Sequence, residues 1–438
     1  MTDDSRPELL RRHRAVTPSW LALYYDEPIE LVHGEGRHVV AADGTRYLDF
    51  FGGILTTISG HGIPEVVDAL REQAGRMLHT STLYLSRPMV ELAERLAGLS
   101  GIPDAKVFFT TSGTEANEAA LLAATSYRRS NQVLALRNSY HGRSFGTVAI
   151  TANRSWSPTS LSGLSVNFVH GGYRLRSPFR HLDDDSYTAA CVQDLRDVID
   201  MCTSGDVACM IAEPIQGVGG FATPPDGFFA AMYDVLAEYG ILFVADEVQT
   251  GFGRTGDHFW GYEAHGFVPD LITVAKGIGN GVGLGAVIAR ADVLDSVPAN
   301  SISTFGGNPL ACAGALANIE YLIAHDLQGN AKKQGQVLGT ALREIAARHP
   351  YIAEVRGRGL MLAIELCVPG TDDRAGGPEP WATGAGAFME ATRRRGLLVG
   401  KGGLYGNVLR ISPPLSVTDA ELTDAIAIIA ASAEEIAP

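Results

Sequence analysis

Lysine is scarce in this 438-residue chain: of 35 basic residues only Lys106, Lys276, Lys332, Lys333 and Lys401 are lysines. No apolar run approaches the ~18 residues that span a bilayer. The stretch from Met1 to Arg14 is charged and has no apolar signal core, so the expected location is cytoplasmic. With a net charge of −14 and no basic cluster, nucleic acid is excluded as a partner. The five cysteines, Cys191, Cys202, Cys209, Cys312 and Cys367, form no Cys-x-x-Cys pair and read as reduced, mostly buried small residues. His258 and His265 follow Asp246, but at no spacing that suits metal ligands, so no metal is expected.

What remains is an ordinary globular composition, 46% hydrophobic and 19% charged, in a chain long enough for two domains. The expected division is an N-terminal segment (1–59) packing with the small domain, a large domain (60–325) and a small C-terminal α+β domain (326–438). From Val107 to Ala289 short apolar runs alternate with helical stretches. Val107–Thr110, Gln132–Leu136, Thr147–Ile150, Cys209–Ala212, Ile241–Ala245 and Leu271–Ala275 read as strands; Glu115–Arg129, Gly227–Tyr239 and Pro309–Ala324 read as helices. This alternation predicts an α/β fold with a mostly parallel sheet covered on both faces, in which ligands bind beyond the carboxyl ends of the strands. His38–Leu48 reads as a hairpin turning at Asp43–Gly44. The later chain carries a long helix (Lys332–Arg348), three strands (Leu360–Leu366, Leu397–Val399, Val408–Ile411) and a Thr418-x-x-Glu421 capping box. Val368–Thr383, rich in Gly, Pro and Asp, reads as an exposed loop.

One lysine stands at the end of an apolar strand, in Leu271–Ile272–Thr273–Val274–Ala275–Lys276–Gly277. Poor solvation lowers an amine's pKa and makes it a nucleophile able to form a Schiff base. A second apolar strand ends on Asp246–Glu247. Asp246 is placed to hold a pyridine-type nitrogen protonated, although taken alone the pair is equally a helix cap. Strand Val107–Thr110 runs into Thr111–Ser112–Gly113–Thr114–Glu115 and an alanine-rich helix. Free N–H groups at a helix start beside small hydroxyl residues make a phosphate cup; by itself the same pattern is an ordinary N-cap. Tyr140–His141–Gly142–Arg143 offers an aromatic face for a flat ring and a guanidinium for a carboxylate. Arg410, inside the apolar strand Asn407–Ile411, needs an anion, either a protein carboxylate or a substrate.

Taken in order, these motifs resemble the class III pyridoxal-phosphate aminotransferases of fold type I, the ω-aminotransferase group. The likeness runs through Leu48–Ile54, Ser112–Asn117, Tyr140–Arg143, Glu213–Gly217, Ala245–Gly256, Ala275–Ile278 and Ser303–Pro309. It is greatest to the alanine–glyoxylate aminotransferase 2 branch, at Ala245 to Gly281 and Leu397 to Pro414.

The resemblance implies that Lys276 carries pyridoxal phosphate as a Schiff base and moves the proton at the substrate Cα. Asp246 would pair with the pyridine nitrogen, Gln249 would sit by the ring hydroxyl, and Tyr140 and Val248 would sandwich the ring. His141 would belong to the cofactor site, and Glu213 would order its hydrogen bonds. Ser112, Gly113 and Thr114 would bind the phosphate, joined by Thr304 of a neighbouring subunit, since the family forms dimers or larger assemblies with active sites at the interface. Arg410 would bind the substrate carboxylate, with Ile54, Tyr84 and Arg143 shaping the rest of the pocket.

Two cues refine the substrate and point to different relatives. Ile54 and Arg143 match 4-aminobutyrate aminotransferases. Val218 replaces the glutamate that in many 2-oxoglutarate users pairs with the arginine corresponding to Arg410, which favours a short acceptor such as pyruvate or glyoxylate. The resemblance thus implies ping-pong transfer of an amino group from alanine or an ω-amino acid (β-alanine, 4-aminobutyrate) to a short 2-oxo acid. A phospho-lyase, an aminomutase or racemase, and a catalytically idle binding protein are the rival readings.

Overall fold

The computed structural model describes residues 6–372 and 376–437. Fifteen strands lie among them: β1 (Leu31–Glu35), β2 (His38–Ala41), β3 (Arg46–Asp49), β4 (Ala105–Thr110), β5 (Gln132–Leu136), β6 (Ser165–Val169), β7 (Cys209–Ala212), β8 (Leu242–Asp246), β9 (Leu271–Val274), β10 (Gly285–Arg290), β11 (Ile352–Arg358), β12 (Met361–Leu366), β13 (Leu397–Leu398), β14 (Gly400–Gly402) and β15 (Val408–Ile411). The central sheet has the order β4-β10-β9-β8-β7-β5-β6. Its strands are parallel except β10, which runs against both β4 and β9.

Every residue of β5, β7, β8 and β9 is buried, which is why they read as continuous apolar runs rather than alternating ones. Period-two alternation survives in the way their side chains divide. Val133, Ala135, Cys209, Ile211, Leu242 and Val244 pack with Ala116, Ala120, Ala123 and Ala124 of helix Gly113–Arg128. Leu134, Leu136, Met210, Ala212, Phe243 and Ala245 face the opposite core with Tyr187, Leu195, Phe229 and Met232. The alanines let the first helix lie close to the sheet, so its N-terminus reaches the carboxyl ends of the strands.

The N-terminal strands form a separate sheet, β1-β2-β3-β13, whose last strand comes from the C-terminal part of the chain. The third sheet, β11-β12-β15-β14, is antiparallel and packs with helices Leu327–Ala346 and Ala382–Arg394, on which helix Asp419–Ile436 lies in turn. Thr418 and Glu421 exchange the reciprocal bonds of a capping box at the last helix.

Two local readings of the sequence are corrected and two strands are added. Thr147–Ile150 is not a strand: Phe145–Ala149 is a short helix, nucleated by Ser144 and Thr147 at its start. β6 and β10 are absent from the strands expected from sequence: β6 is a half-exposed edge with Ser165 and Asn167, and β10, although an apolar run, follows a glycine-rich turn. Of the expected loop Val368–Thr383, residues 373–375 lie outside the described ones; among the rest Gly377 and Pro378 are buried, Pro380 bridges to Cys367, and a helix begins at Ala382.

Gly256 sits where the large-domain turn meets helix Leu327–Ala346. Its φ is +80°, and a Cβ there would lie 2.6 Å from the Lys332 Cα. Gly256→Ala therefore combines backbone strain with overpacking and is expected to cost about 1–3 kcal/mol of stability by denaturant unfolding. An unchanged midpoint would contradict this close seating.

Candidate active site

β8 ends on Asp246 and β9 ends two residues before Lys276; Asp246 pairs in register with Thr273, so both groups emerge at the carboxyl edge of adjacent parallel strands. The buried Asp246 carboxylate accepts three hydrogen bonds. Oδ2 takes His141 Nδ1 at 2.7 Å and Asn117 Nδ2 at 2.8 Å, and Oδ1 takes the Val248 N–H at 3.2 Å. Bonds to a charged acceptor, worth about 1.5–3 kcal/mol each, offset the cost of burying it. Asn117 also donates to the His141 carbonyl (2.8 Å), locking the helix to the loop after β5.

Lys276 occupies a left-handed backbone conformation, φ +49°, of the kind that concentrates at functional sites. Burial lowers its pKa to about 8, outweighing the opposite pull of Asp246 and Glu213, while Arg410 adds to the lowering. Glu213 accepts the Tyr140 N–H (2.9 Å) and the Gly217 N–H (2.8 Å), and burial pushes its carboxyl up to about 7. Tyr140 leans edge-on against Trp156.

The residues present suit a phosphorylated pyridine. Ser112 caps the helix by taking the Glu115 N–H at 3.2 Å, which leaves the first N–H groups, at Gly113 and Thr114, free for an anion. A Cβ on Gly113 would come within 3.2 Å of both Val248 methyls, so glycine keeps the wall beside Val248 open. Gln249 is buried, and its Oε1 has no partner among the described residues; a hydroxyl donor on the ring would satisfy it. The Gly217 backbone presses on the Gln249 amide, where a Cβ would be 2.3 Å away.

Arg410 lies on β15 across from Ala363 of β12 and Gly400 of β14. Only 4% exposed, it donates to the carbonyls of Gly217 at 3.4 Å and Lys401 at 3.1 Å, has the Tyr24 hydroxyl beside it, and stands over the Phe51 and Phe221 rings. Val218, buried beside it, supplies no carboxylate. The remaining predicted residues are at the surface. Ile54 lies inside an unusual left-handed run from Gly52 to Leu55, and Tyr84, Arg143 and Thr304 are exposed. His265 packs edge-on against Phe229, and among the described residues no cluster of three or more His, Cys, Asp or Glu is placed to hold a metal.

Sequence reasoning gave no role to Asn117, though it stands in the Ser112–Asn117 motif as a polar residue on an alanine-rich face. It also missed Ser303, whose hydroxyl donates to Glu115 at 2.7 Å and so ties the Thr304 loop to the phosphate cup.

In the cofactor-free protein, Lys276 should be labelled by an amine-directed acylating reagent with a midpoint near pH 8, since the free amine reacts and its fraction rises through that pKa. Mass spectrometry would read this against the midpoint of about 10.4 for an ordinary lysine; a midpoint there would refute the desolvated amine.

The class-III aminotransferase family model matches residues 24–432. Alanine–glyoxylate aminotransferase 2 homolog 2, mitochondrial, of Arabidopsis thaliana is 40% identical over 94% of this chain and 83% of its own length. The crystal structure of a thermostable (S)-enantioselective omega-transaminase from Thermomicrobium roseum superposes with a TM-score of 0.90 at 34% identity, covering 99% of both chains. A phospholyase from Arthrobacter, in complex with phosphoethanolamine, superposes at 0.87 with 30% identity, over 97% of this chain and 99% of that one. With a strand-end lysine, a buried aspartate and a phosphate-ready helix start on one sheet edge, and with this breadth of likeness, the chain belongs to the class-III aminotransferases, the pyridoxal-phosphate-dependent enzymes of fold type I that transfer amino groups.

Proposed function

We propose that this enzyme moves an amino group from alanine or an ω-amino acid such as β-alanine or 4-aminobutyrate to pyruvate or glyoxylate, in preference to 2-oxoglutarate, by a ping-pong mechanism. The observation that carries this reading is Arg410: a buried guanidinium that makes no ion pair among the described residues. A buried cation without an anion is costly, and a substrate carboxylate completes it. With Val218 beside it, no protein carboxylate competes for that place, which suits a short monocarboxylate acceptor. The name of the Arabidopsis relative, with alanine and glyoxylate in it, agrees.

When bound, pyridoxal phosphate supplies an electron-withdrawing ring for the electron pair released at the substrate Cα. Ser112, Gly113 and Thr114 would hold its phosphate, with Thr304 of a second subunit. Asp246, backed by His141 and Asn117, would hold its pyridine nitrogen, Gln249 its ring hydroxyl, and Tyr140 and Val248 its two faces. Lys276 Nζ, with its lowered pKa, takes the proton from the substrate Cα as general base. Arg410 orients the carboxylate. Glu213 holds the Tyr140 and Gly217 backbones in place, and Ile54, Tyr84 and Arg143 border the entrance. The five free cysteines support a reducing, cytoplasmic setting.

We also propose a homodimer, or a homotetramer built from it. Met77, Leu78, Leu83, Tyr84, Leu85, Ile302 and Phe305 are all exposed, and the His79 and Phe305 rings lie 5.1 Å apart, so the two segments form one apolar face beside Thr304. Exposed apolar surface of this kind marks an interface, and a second copy would bring Thr304 to its partner's phosphate cup.

Lys276→Ala is expected to abolish turnover. In the wild-type holoenzyme, β-alanine or 4-aminobutyrate without any oxo acid should replace the visible absorption band by a near-ultraviolet one. A persistent band would exclude these donors and leave alanine. Phosphate release from phosphoethanolamine without an oxo acid would instead favour the lyase reading, which the Arthrobacter neighbour keeps in view. For the assembly, Leu85→Asp with Phe305→Asp should shift the protein to monomer in sedimentation velocity and lower cofactor affinity; an unaltered sedimentation coefficient would place the interface elsewhere.

A further inference from the structure

The turn Gly217–Gly220 is shared by both ends of the active site. On the cofactor side the Gly217 N–H donates to Glu213 at 2.8 Å, and its backbone lies against Gln249. On the substrate side the Gly217 carbonyl accepts from Arg410 Nη1 at 3.4 Å and from the Gly220 N–H at 3.2 Å, while the Val218 carbonyl takes the Gly403 N–H at 3.0 Å. One further side chain grips this turn. Arg356 of β11, almost wholly buried, donates from Nε to the Gly220 carbonyl at 2.9 Å. Gly220 has no room to move aside: its φ is +92°, and a Cβ would be 3.0 Å from the Gly403 Cα and 3.1 Å from Arg356 Nη2.

Arg356 is itself held by charge. Its Nη1 donates to Glu365 at 2.7 Å and pairs with Glu354, and its guanidinium stands over the Tyr173 ring. Glu365 is fully buried and also takes Arg176 (2.8 Å), the Tyr173 hydroxyl (2.9 Å) and Asn407 Nδ2 (3.2 Å). Asn407 lies three residues before Arg410. A buried ionic cluster of this kind is a poor source of stability compared with apolar packing; its fixed geometry serves to specify position.

We infer that Arg356 is a positioning residue for substrate carboxylate binding: through Gly220 it fixes the Gly217 carbonyl on which Arg410 rests, and Glu365 fixes Arg356. This rests on the reading of Arg410 as the carboxylate site. Arg176 is the internal control. It shares Glu365, but its other donors reach the Gly376 and Pro378 carbonyls, and it makes no hydrogen bond to the turn.

The test is calorimetric binding of propionate, a carboxylate that cannot react, to the holoenzyme, together with KM and kcat for pyruvate and the melting temperature. Arg356→Gln should weaken propionate binding about tenfold, with KM rising by a similar factor and kcat changing less. Arg176→Gln should lower the melting temperature but leave the propionate Kd within about twofold. Arg356→Lys, which keeps the charge and one donor, should fall between wild type and Arg356→Gln. Arg410→Gln should remove propionate binding; if it does not, the carboxylate assignment of Arg410 fails, and with it the premise. If Arg410→Gln abolishes binding while Arg356→Gln leaves it intact, or while Arg176→Gln weakens it equally, the positioning role is overturned. Failure of Arg356→Lys to fold would also overturn it, by making Arg356 a purely structural cation.

Discussion

Two opposite charges must be kept out of water at the end of one sheet without cancelling each other. Asp246 and Lys276 leave adjacent parallel strands at the same edge. The aspartate is committed elsewhere, to His141, Asn117 and the Val248 N–H. Burial holds the lysine amine down near pH 8 in spite of that carboxylate. Desolvation wins over the Coulomb attraction of Asp246 and Glu213, and the Arg410 cation adds to it. The rest of the fold serves this separation: the alanine face of helix Gly113–Arg128 brings Asn117 and the phosphate cup to the same edge.

The small domain meets this edge through one backbone turn. Gly217–Gly220 touches Glu213 and Gln249 on one side and Arg410, Gly403 and Arg356 on the other. An apolar cluster of Leu55, Ile215, Phe221, Met361, Ala363 and Val408, with Phe51 against it, seals the same junction. Carbonyls rather than carboxylates surround Arg410, so its charge is oriented without being neutralised. That is the condition a site needs if the missing anion is to be the substrate.

Three buried arginines show how differently a guanidinium can be housed. Arg356 has two carboxylates and a tyrosine ring. Arg410 has carbonyls and two aromatic rings. Arg254 donates to the Leu360 and Pro413 carbonyls, and burial lowers its pKa to about 9. In sequence only Arg410 lies between two apolar residues, Leu409 and Ile411. Carboxylate partners set Arg356 apart, whereas Arg254 and Arg410 both rest on carbonyls and differ in place: the charge of Arg410 is felt at Lys276.

The chemistry was legible in the sequence because it sits where local pattern is strongest. An apolar run ending on Lys276, another ending on Asp246, and a strand entering Ser112–Gly113–Thr114 each state their own position on a parallel sheet, since strand ends in such a sheet share an edge. Of the covering helices, Gly113–Arg128, Phe228–Glu238 and Pro309–Ala324 are read from the sequence, while Asp184–Cys202 is not. Less legible were elements whose residues do not carry their environment with them: the edge strand β6, the antiparallel β10 and the helix Phe145–Ala149, where neighbours and capping override short-range preference. Tertiary structure alone decided that Asn117 backs Asp246, that Ser303 meets Glu115, and that Arg356, more than a hundred residues from Gly220, grips the turn beneath Arg410. Sequence by itself determined which groups stand at the strand ends, because that pattern is local. Their aim was decided only by the fold, because hydrogen bonds between distant segments depend on distances that no local pattern encodes.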